Sequence, residues 1–179
     1  MTQALRIFLI SVLVSGVIYP LVATGIAKLF FSKSTNGSLI QVGDKTVGSQ
    51  LIAQKFEKES YFWSRPSASN YDPMASGGSN LGPTSRKLIT EVQNRAKGDN
   101  NIPSEMLYAS GSGLDPDISV NTAFYQAERV AKARTMDLEK VKGLIQIHTK
   151  PNPFGLSYVN VLELNIALDN LAQPQKQVN

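Results

Sequence analysis

Hydrophobic and polar positions divide this chain into two unequal parts. From Ile7 to Phe31 nearly every residue is apolar, IFLISVLVSGVIYPLVATGIAKLFF. About 25 residues at ~1.5 Å rise each exceed the ~30 Å hydrocarbon layer of a bilayer, so the pattern predicts one transmembrane helix over residues 7–31. Pro20 lies inside it, which a spanning helix tolerates better than a soluble one. The run outlasts the apolar core of a secretory signal, and no polar face marks it as a core helix. Ser11, Ser15 and Gly16 place small residues where a second helix can approach closely in lipid, although a lone anchor accommodates the same residues.

Beyond a polar linker, residues 32–38, the pattern changes. SLIQVGDKTVGSQLI predicts two short strands around Gly43 and Asp44, with Leu39, Val42, Val47, Leu51 and Ile52 as apolar faces. Helical spacing predicts a helix from Thr84 or Ser85 to Lys97, carrying Leu88, Ile89, Val92 and Ala96 on one stripe. A second runs from Ser119 to Arg134, with Ala123, Ala127 and Val130 inward and Glu128, Arg129, Lys132 and Arg134 on the other face. A third runs from Asp137, its N-cap, to His148. Met106 to Ala109 reads as a short buried strand. The final run, VNVLELNIALDNL, mixes both periods, and its Ala, Leu and Glu content favours a helix. The expectation is α+β: one transmembrane helix followed by a single domain, residues 39–179.

The segment from Tyr61 to Pro83, YFWSRPSASNYDPMASGGSNLGP, has no helical period. A loop of that length is uncommon in a compact domain unless something uses it. Tyr61, Phe62, Trp63 and Arg65 are types that dominate interface hot spots. Core packing competes with that reading, because alternate residues of a strand would turn Tyr61 and Trp63 inward.

Charge and chemistry narrow the classes. The net charge is +4, but with Arg6 and Lys28 assigned to the anchor, 16 basic residues face 14 acidic ones. That balance is no footprint for nucleic acid. Charges flanking the apolar run are too even to orient it. The chain has no cysteine, which excludes disulfides, zinc–thiolate sites and thiol catalysis. His148 is its only histidine. A membrane-anchored extracytoplasmic hydrolase using it is one alternative function, and an anchored ligand-binding or sensor domain is another. A histidine near a helix C-terminus is the plainer reading. Asp115 and Asp117 flank Pro116 at a spacing that can contribute to a calcium site, but no further ligands follow, and a turn accounts for them equally. SGGSN (76–80) and SGSG (110–113) can present backbone N–H groups to phosphate, yet neither matches a Walker loop or a dinucleotide fingerprint. No catalytic residue, metal ligand or cofactor-binding residue is assigned.

Several stretches, in order behind one N-terminal helix, carry a resemblance: GSLIQ, VGSQLIAQKF, YFWSRPSAS, SGGSNLGPTS, ASGSGLDPDIS, QAERVAKAR and VNVLELNIALD. In these the chain resembles the C subunit of Kdp-type potassium-transporting ATPases over nearly its whole length. The resemblance implies an accessory subunit without catalysis of its own. The partners the resemblance implies are a channel-like potassium-translocating subunit, a P-type ATPase subunit, a very small membrane peptide and the bilayer. It implies a single-pass protein of the cell (inner) membrane, N-terminus cytoplasmic and domain extracytoplasmic. ATP, Mg and potassium would be used by the complex rather than by this chain. In that family the C subunit is regarded as an assembly factor or as a catalytic chaperone that raises the ATP affinity of the ATPase subunit. The segments shared with the family nominate Tyr61, Phe62, Trp63, Arg65, Pro66, Ser76, Gly77, Gly78, Ser79, Asn80, Gly111 and Asp115 as family-motif or partner-interface residues.

Overall fold

The computed structural model describes residues 2–172, which form two compact units, divided at Leu39 and Ile40. The first unit is built around one continuous helical rod, Gln3–Phe30, which is long and apolar enough to cross a membrane. It consists of α1 (Gln3–Leu13), a π-helical stretch (Val14–Ile18) and α2 (Tyr19–Phe30). Pro20 explains the π-helical stretch. Proline has no N–H to give to the carbonyl four residues back, and its ring crowds that carbonyl; widening the preceding turn relieves both. Ser15 Oγ donates to the Ser11 carbonyl at 2.6 Å, and a Cβ on Gly16 would meet nothing within 4 Å. Within residues 32–38, expected as a polar linker, Ser32–Thr35 form a helical turn, α3.

The second unit is α+β, as the pattern predicts, but its strands are few. β1 (Leu39–Val42) and β2 (Lys45–Ser49) form a hairpin turning at Gly43, whose φ of +60° suits glycine. Its expected apolar faces are largely exposed, Leu39, Val42, Leu51 and Ile52 among them. A two-stranded ribbon has too little partner surface to cover them, and nearby Ala53 is buried instead. After the long loop come α4 (Arg86–Ala96), capped by Ser85, and α5 (Ser104–Leu107). The strand expected at 106–109 is therefore a helical turn that ends at Leu107. Pro103 sits at its start, and Met106 N donates to the Pro103 carbonyl, which closes the turn.

β3 (Asp117–Ser119), α6 (Val120–Arg134), α7 (Leu138–Ile147), β4 (Tyr158–Asn160) and α8 (Val161–Ala172) complete the unit. Ser119 and Asp137 cap α6 and α7 through side-chain acceptors. β3 and β4 pair antiparallel, Ile118 opposite Val159, and this sheet is absent from the sequence reading. Three-residue strands are too short to show a period of two. The ambiguous last run is the helix α8. The buried core gathers Phe62, Ile118, Ala127, Val130, Val141, Ile145, Val159, Leu164 and Leu168, drawn from the long loop, β3, β4 and the three helices.

Candidate functional site

The YFWSRP segment lies across α6 and α8, and two buried amides hold it there. Asn165 of α8 accepts from Phe62 N at 2.8 Å and donates to Phe62 O at 3.0 Å. Gln126 of α6 accepts from Trp63 N at 2.8 Å and donates to Trp63 O at 3.1 Å. Two consecutive residues thus have their backbone groups satisfied by side chains rather than by a neighbouring strand. The alternation is opposite to the one expected. Phe62 and Ser64 point inward and are buried, while Tyr61 and Trp63 are half-buried. Phe62 fits the apolar core; Tyr61 and Trp63 keep polar atoms that need partners.

Two arginines cover these aromatics. The Arg129 guanidinium stacks 3.6 Å from the Trp63 ring centroid and donates to the carbonyls of Glu59 and Tyr61. Arg134 lies 4.7 Å from the Tyr61 ring, donates to the Ser60 carbonyl and pairs with Asp169 at 2.8 Å. Tyr61 OH also donates to Asp169, at 3.0 Å. Burial, and then this carboxylate, raise the Tyr61 phenol above its usual pKa. Arg129 and Arg134 were expected on the helix face opposite the apolar stripe. Their stems reach back instead to the loop, where planar cations satisfy carbonyls and stack on rings at once.

The two glycine-rich pieces meet. Gly77 N donates to Ser112 O at 2.8 Å, and Ser76 Oγ donates to the same oxygen at 3.0 Å. A Cβ on Gly78 would lie 3.0 Å from the Gly111 carbonyl oxygen. Gly113, at φ +70°, has Ser69 Oγ and Gly77 O on the side where a Cβ would project, at 2.6 and 2.7 Å. These approaches exist because glycine has no side chain there. Asn80 has a φ of +52°, and Ser79 is half-buried. Close by in the chain, Arg65 pairs with Asp115 at 3.2 Å, and the Pro66 carbonyl accepts from Ser110 N. Asp115 also accepts from Asp117 N. Residues 61–83 and 110–115 thus form one interlocked layer.

Beside this layer runs a groove of about 950 Å³, lined by Trp63, Tyr71, Arg95, Met106, Tyr125 and Arg129 among others. Tyr125 OH donates to Asp99 at 2.7 Å. Burial, reinforced by that carboxylate, pushes the Tyr125 pKa up to about 12. Asp99 is held below its usual value by the Asn101 backbone N–H and by Tyr125. Burial also raises Tyr71, against the opposing charge of Arg95. The groove's serine hydroxyl, Ser64 Oγ, is buried without a hydrogen-bond partner, so no base is positioned to activate it. The chemistry on offer is recognition by rings and charges.

His148 sits at the C-terminal end of α7 with Nδ1 3.0 Å from the Leu144 carbonyl, as a cap. Asp117 bonds to Asn160 at 2.9 Å. Among the described residues no group of three or more His, Cys, Asp or Glu is placed to hold a metal. Gln126 and Asn165 were not foreseen from the sequence. The available signal was an amide inside each apolar helical stripe, Gln126 between Ala123 and Val130, Asn165 between Val161 and Leu168.

Among the described residues, one apolar helix long enough to cross a membrane precedes an α+β domain, an arrangement that fits a single-pass membrane protein. Residues 1–170 match the family described as "K+-transporting ATPase, c chain". Curated relatives are the KdpC subunits of potassium-transporting ATPases from Serratia proteamaculans, 47% identical over 94% of this chain and 96% of its own length, and Polynucleobacter asymbioticus, 44% identical over 94% and 97%. A Mycobacterium bovis counterpart is 43% identical over 94% and 96%. The chain belongs to the KdpC family.

Proposed function

We propose that this chain is a non-catalytic accessory subunit of a high-affinity, ATP-driven potassium-uptake complex. In that role it assembles and stabilises the channel-like subunit and the P-type ATPase subunit, together with the very small membrane peptide. The family match across residues 1–170, taking in span and domain together, carries this reading. The interlocked loops support it: Gly77 N and Ser76 Oγ, the groups a phosphate would seek, both bond to Ser112. In this reading ATP, Mg and potassium are used by the complex. A chaperone effect on ATP affinity then passes through the membrane subunits, and it requires two states of the complex that this subunit distinguishes. The location is the cell (inner) membrane, with the N-terminus cytoplasmic and the domain outside.

Purification through a tagged full-length chain from potassium-starved cells tests the proposal. A channel-like membrane protein and a P-type ATPase should co-purify, and deletion of the chain should abolish uptake at low potassium. Recovery of the chain by itself, with uptake intact after its deletion, refutes it. The cysteine-free background permits a direct test of orientation. Exposed Met74, substituted as Met74→Cys, should react with a membrane-impermeant maleimide on intact cells.

A further inference from the structure

We propose that α4 and α5 form a hinged flap that opens and closes the groove beside Trp63, with the Tyr125–Asp99 hydrogen bond as its latch. From Arg86 to Leu107 no residue is buried, and none belongs to the buried core. The apolar stripe of α4 is only half covered: Leu88, Val92 and Ala96 are half-buried and Ile89 is exposed. A segment with so few buried apolar contacts opens at a lower free energy than the core beside it. α4 has 11 residues, fewer than the roughly 12–15 an isolated helix needs in water. Its contacts with the rest of the domain therefore decide how firmly it stays in place.

Both ends of the segment are pinned to the interlocked layer. On the entry side a Cβ on Gly78 would lie 3.0 Å from the Gly111 carbonyl oxygen; on the return side Ser110 N donates to Pro66 O at 3.0 Å. Between these points α4 and α5 are tied to each other. Arg95 donates to the Leu107 carbonyl at 2.7 Å and pairs with Glu91 at 3.0 Å, so the two helices move as one piece. Apart from its ends, the piece makes three hydrogen bonds to the rest of the domain among the described residues. Two lie at α5: Glu105 accepts from Ser119 N at 2.9 Å, and the Met106 sulfur accepts from buried Gln126 at 3.4 Å. The third lies just past α4, where Tyr125 OH donates to Asp99 at 2.7 Å. Both of these residues are exposed, so water replaces that bond at small cost. The α5 contacts thus mark the pivot and the Tyr125–Asp99 pair the latch. Swinging outward parts the wall of Asn94, Lys97 and Asp99 from the wall of Trp63, Tyr125 and Arg129, and opens the groove between them.

Tyr125→Phe removes the latch and keeps the ring. In full-length chain held in detergent, hydrogen exchange at the α4 amides should speed up roughly 3- to 10-fold, the worth of one exposed hydrogen bond. The amides of Ala127 and Val130, in the core-facing stripe of α6, should keep their protection. Trp63 is the only tryptophan and lines the groove, so it reports the same motion. Its quenching by acrylamide should rise with the substitution. Tyr108→Phe is the control, an exposed tyrosine whose hydroxyl bonds to no described residue, and it should change neither signal. Unchanged α4 exchange in Tyr125→Phe overturns the latch. Equal acceleration in α4 and α6 overturns the flap, because the domain then opens as a whole. Faster α4 exchange with unchanged Trp63 quenching also overturns it, because the helix then frays without uncovering the groove.

Discussion

Replacing Asn165 by leucine isolates what holds the Tyr61–Pro66 segment in place. Leucine keeps the branched heavy-atom skeleton of asparagine and is bulkier, so the substitution opens no cavity and acts chiefly by removing hydrogen bonds. Two bonds are lost, from Phe62 N at 2.8 Å and to Phe62 O at 3.0 Å, both buried. Neither group has water within reach in the fully buried surroundings of Phe62 and Asn165. An orphaned buried donor or acceptor costs about 1–3 kcal/mol, so the pair costs about 2–6 kcal/mol. Against a total stability of about 5–15 kcal/mol that is a large fraction. It lowers the midpoint of thermal unfolding by roughly 10 °C for a domain of this size. Near-UV circular dichroism of the full chain in detergent reads the midpoint, and hydrogen exchange at the Phe62 amide reads the local bond. Asn170→Leu, an exposed position on the same helix, serves as the control and should shift stability by less than about 0.5 kcal/mol. An Asn165→Leu chain as stable as this control, with the Phe62 amide still protected, refutes the claim that the amide pins the segment.

The interlocked glycine loops and the β3–β4 sheet each support a further prediction. Gly113→Ala combines a φ of +70° with a Cβ 2.7 Å from the Gly77 carbonyl oxygen; it should cost about 2–3 kcal/mol and expose the Gly77 amide to exchange. Gly111→Ala, with open space around its Cβ, should be tolerated, and equal effects at both positions would sink the packing argument. Asp117 on β3 has a raised pKa, chiefly from burial and with the nearby carboxylates Asp115 and Glu163 adding to it, against the Asn160 amide and Lys150. A raised folded-state pKa means that the folded chain holds the proton more tightly. The associated stability is full below the unfolded pKa and lost as pH rises through the folded one. Asp117→Asn keeps an acceptor for Asn160 Nδ2, so it should stabilise the chain near neutral pH and flatten its stability between those two pKa values. A variant whose denaturation profile keeps the original slope in that range would contradict the assignment.

What the sequence determined by itself are the features written in local pattern. An unbroken apolar run needs no partner to announce a spanning helix, because length and hydropathy are properties of the segment. Three helices of the domain were legible from spacing, and Asp137 was legible as a cap, because a helix closes its hydrogen bonds locally; Ser119, read as the first residue of its helix, is the cap instead. The family was legible too, since ordered segments such as SGGSNLGPTS are read directly. Tertiary structure decided the rest, because the deciding partners lie far along the chain. β3 and β4 are three residues each and exist through pairing across about forty residues. The inward turn of Phe62 depends on an amide 103 residues away, and the seating of Trp63 on one 63 residues away. By helical phase Arg129 and Arg134 lie opposite the apolar stripe, and they become clamps only when the loop lies against them. The glycine pieces read separately as turns; packed together, they show why glycine stands at Gly113, where a Cβ would meet the Gly77 carbonyl oxygen at 2.7 Å, and why Gly78 lies tight against Gly111.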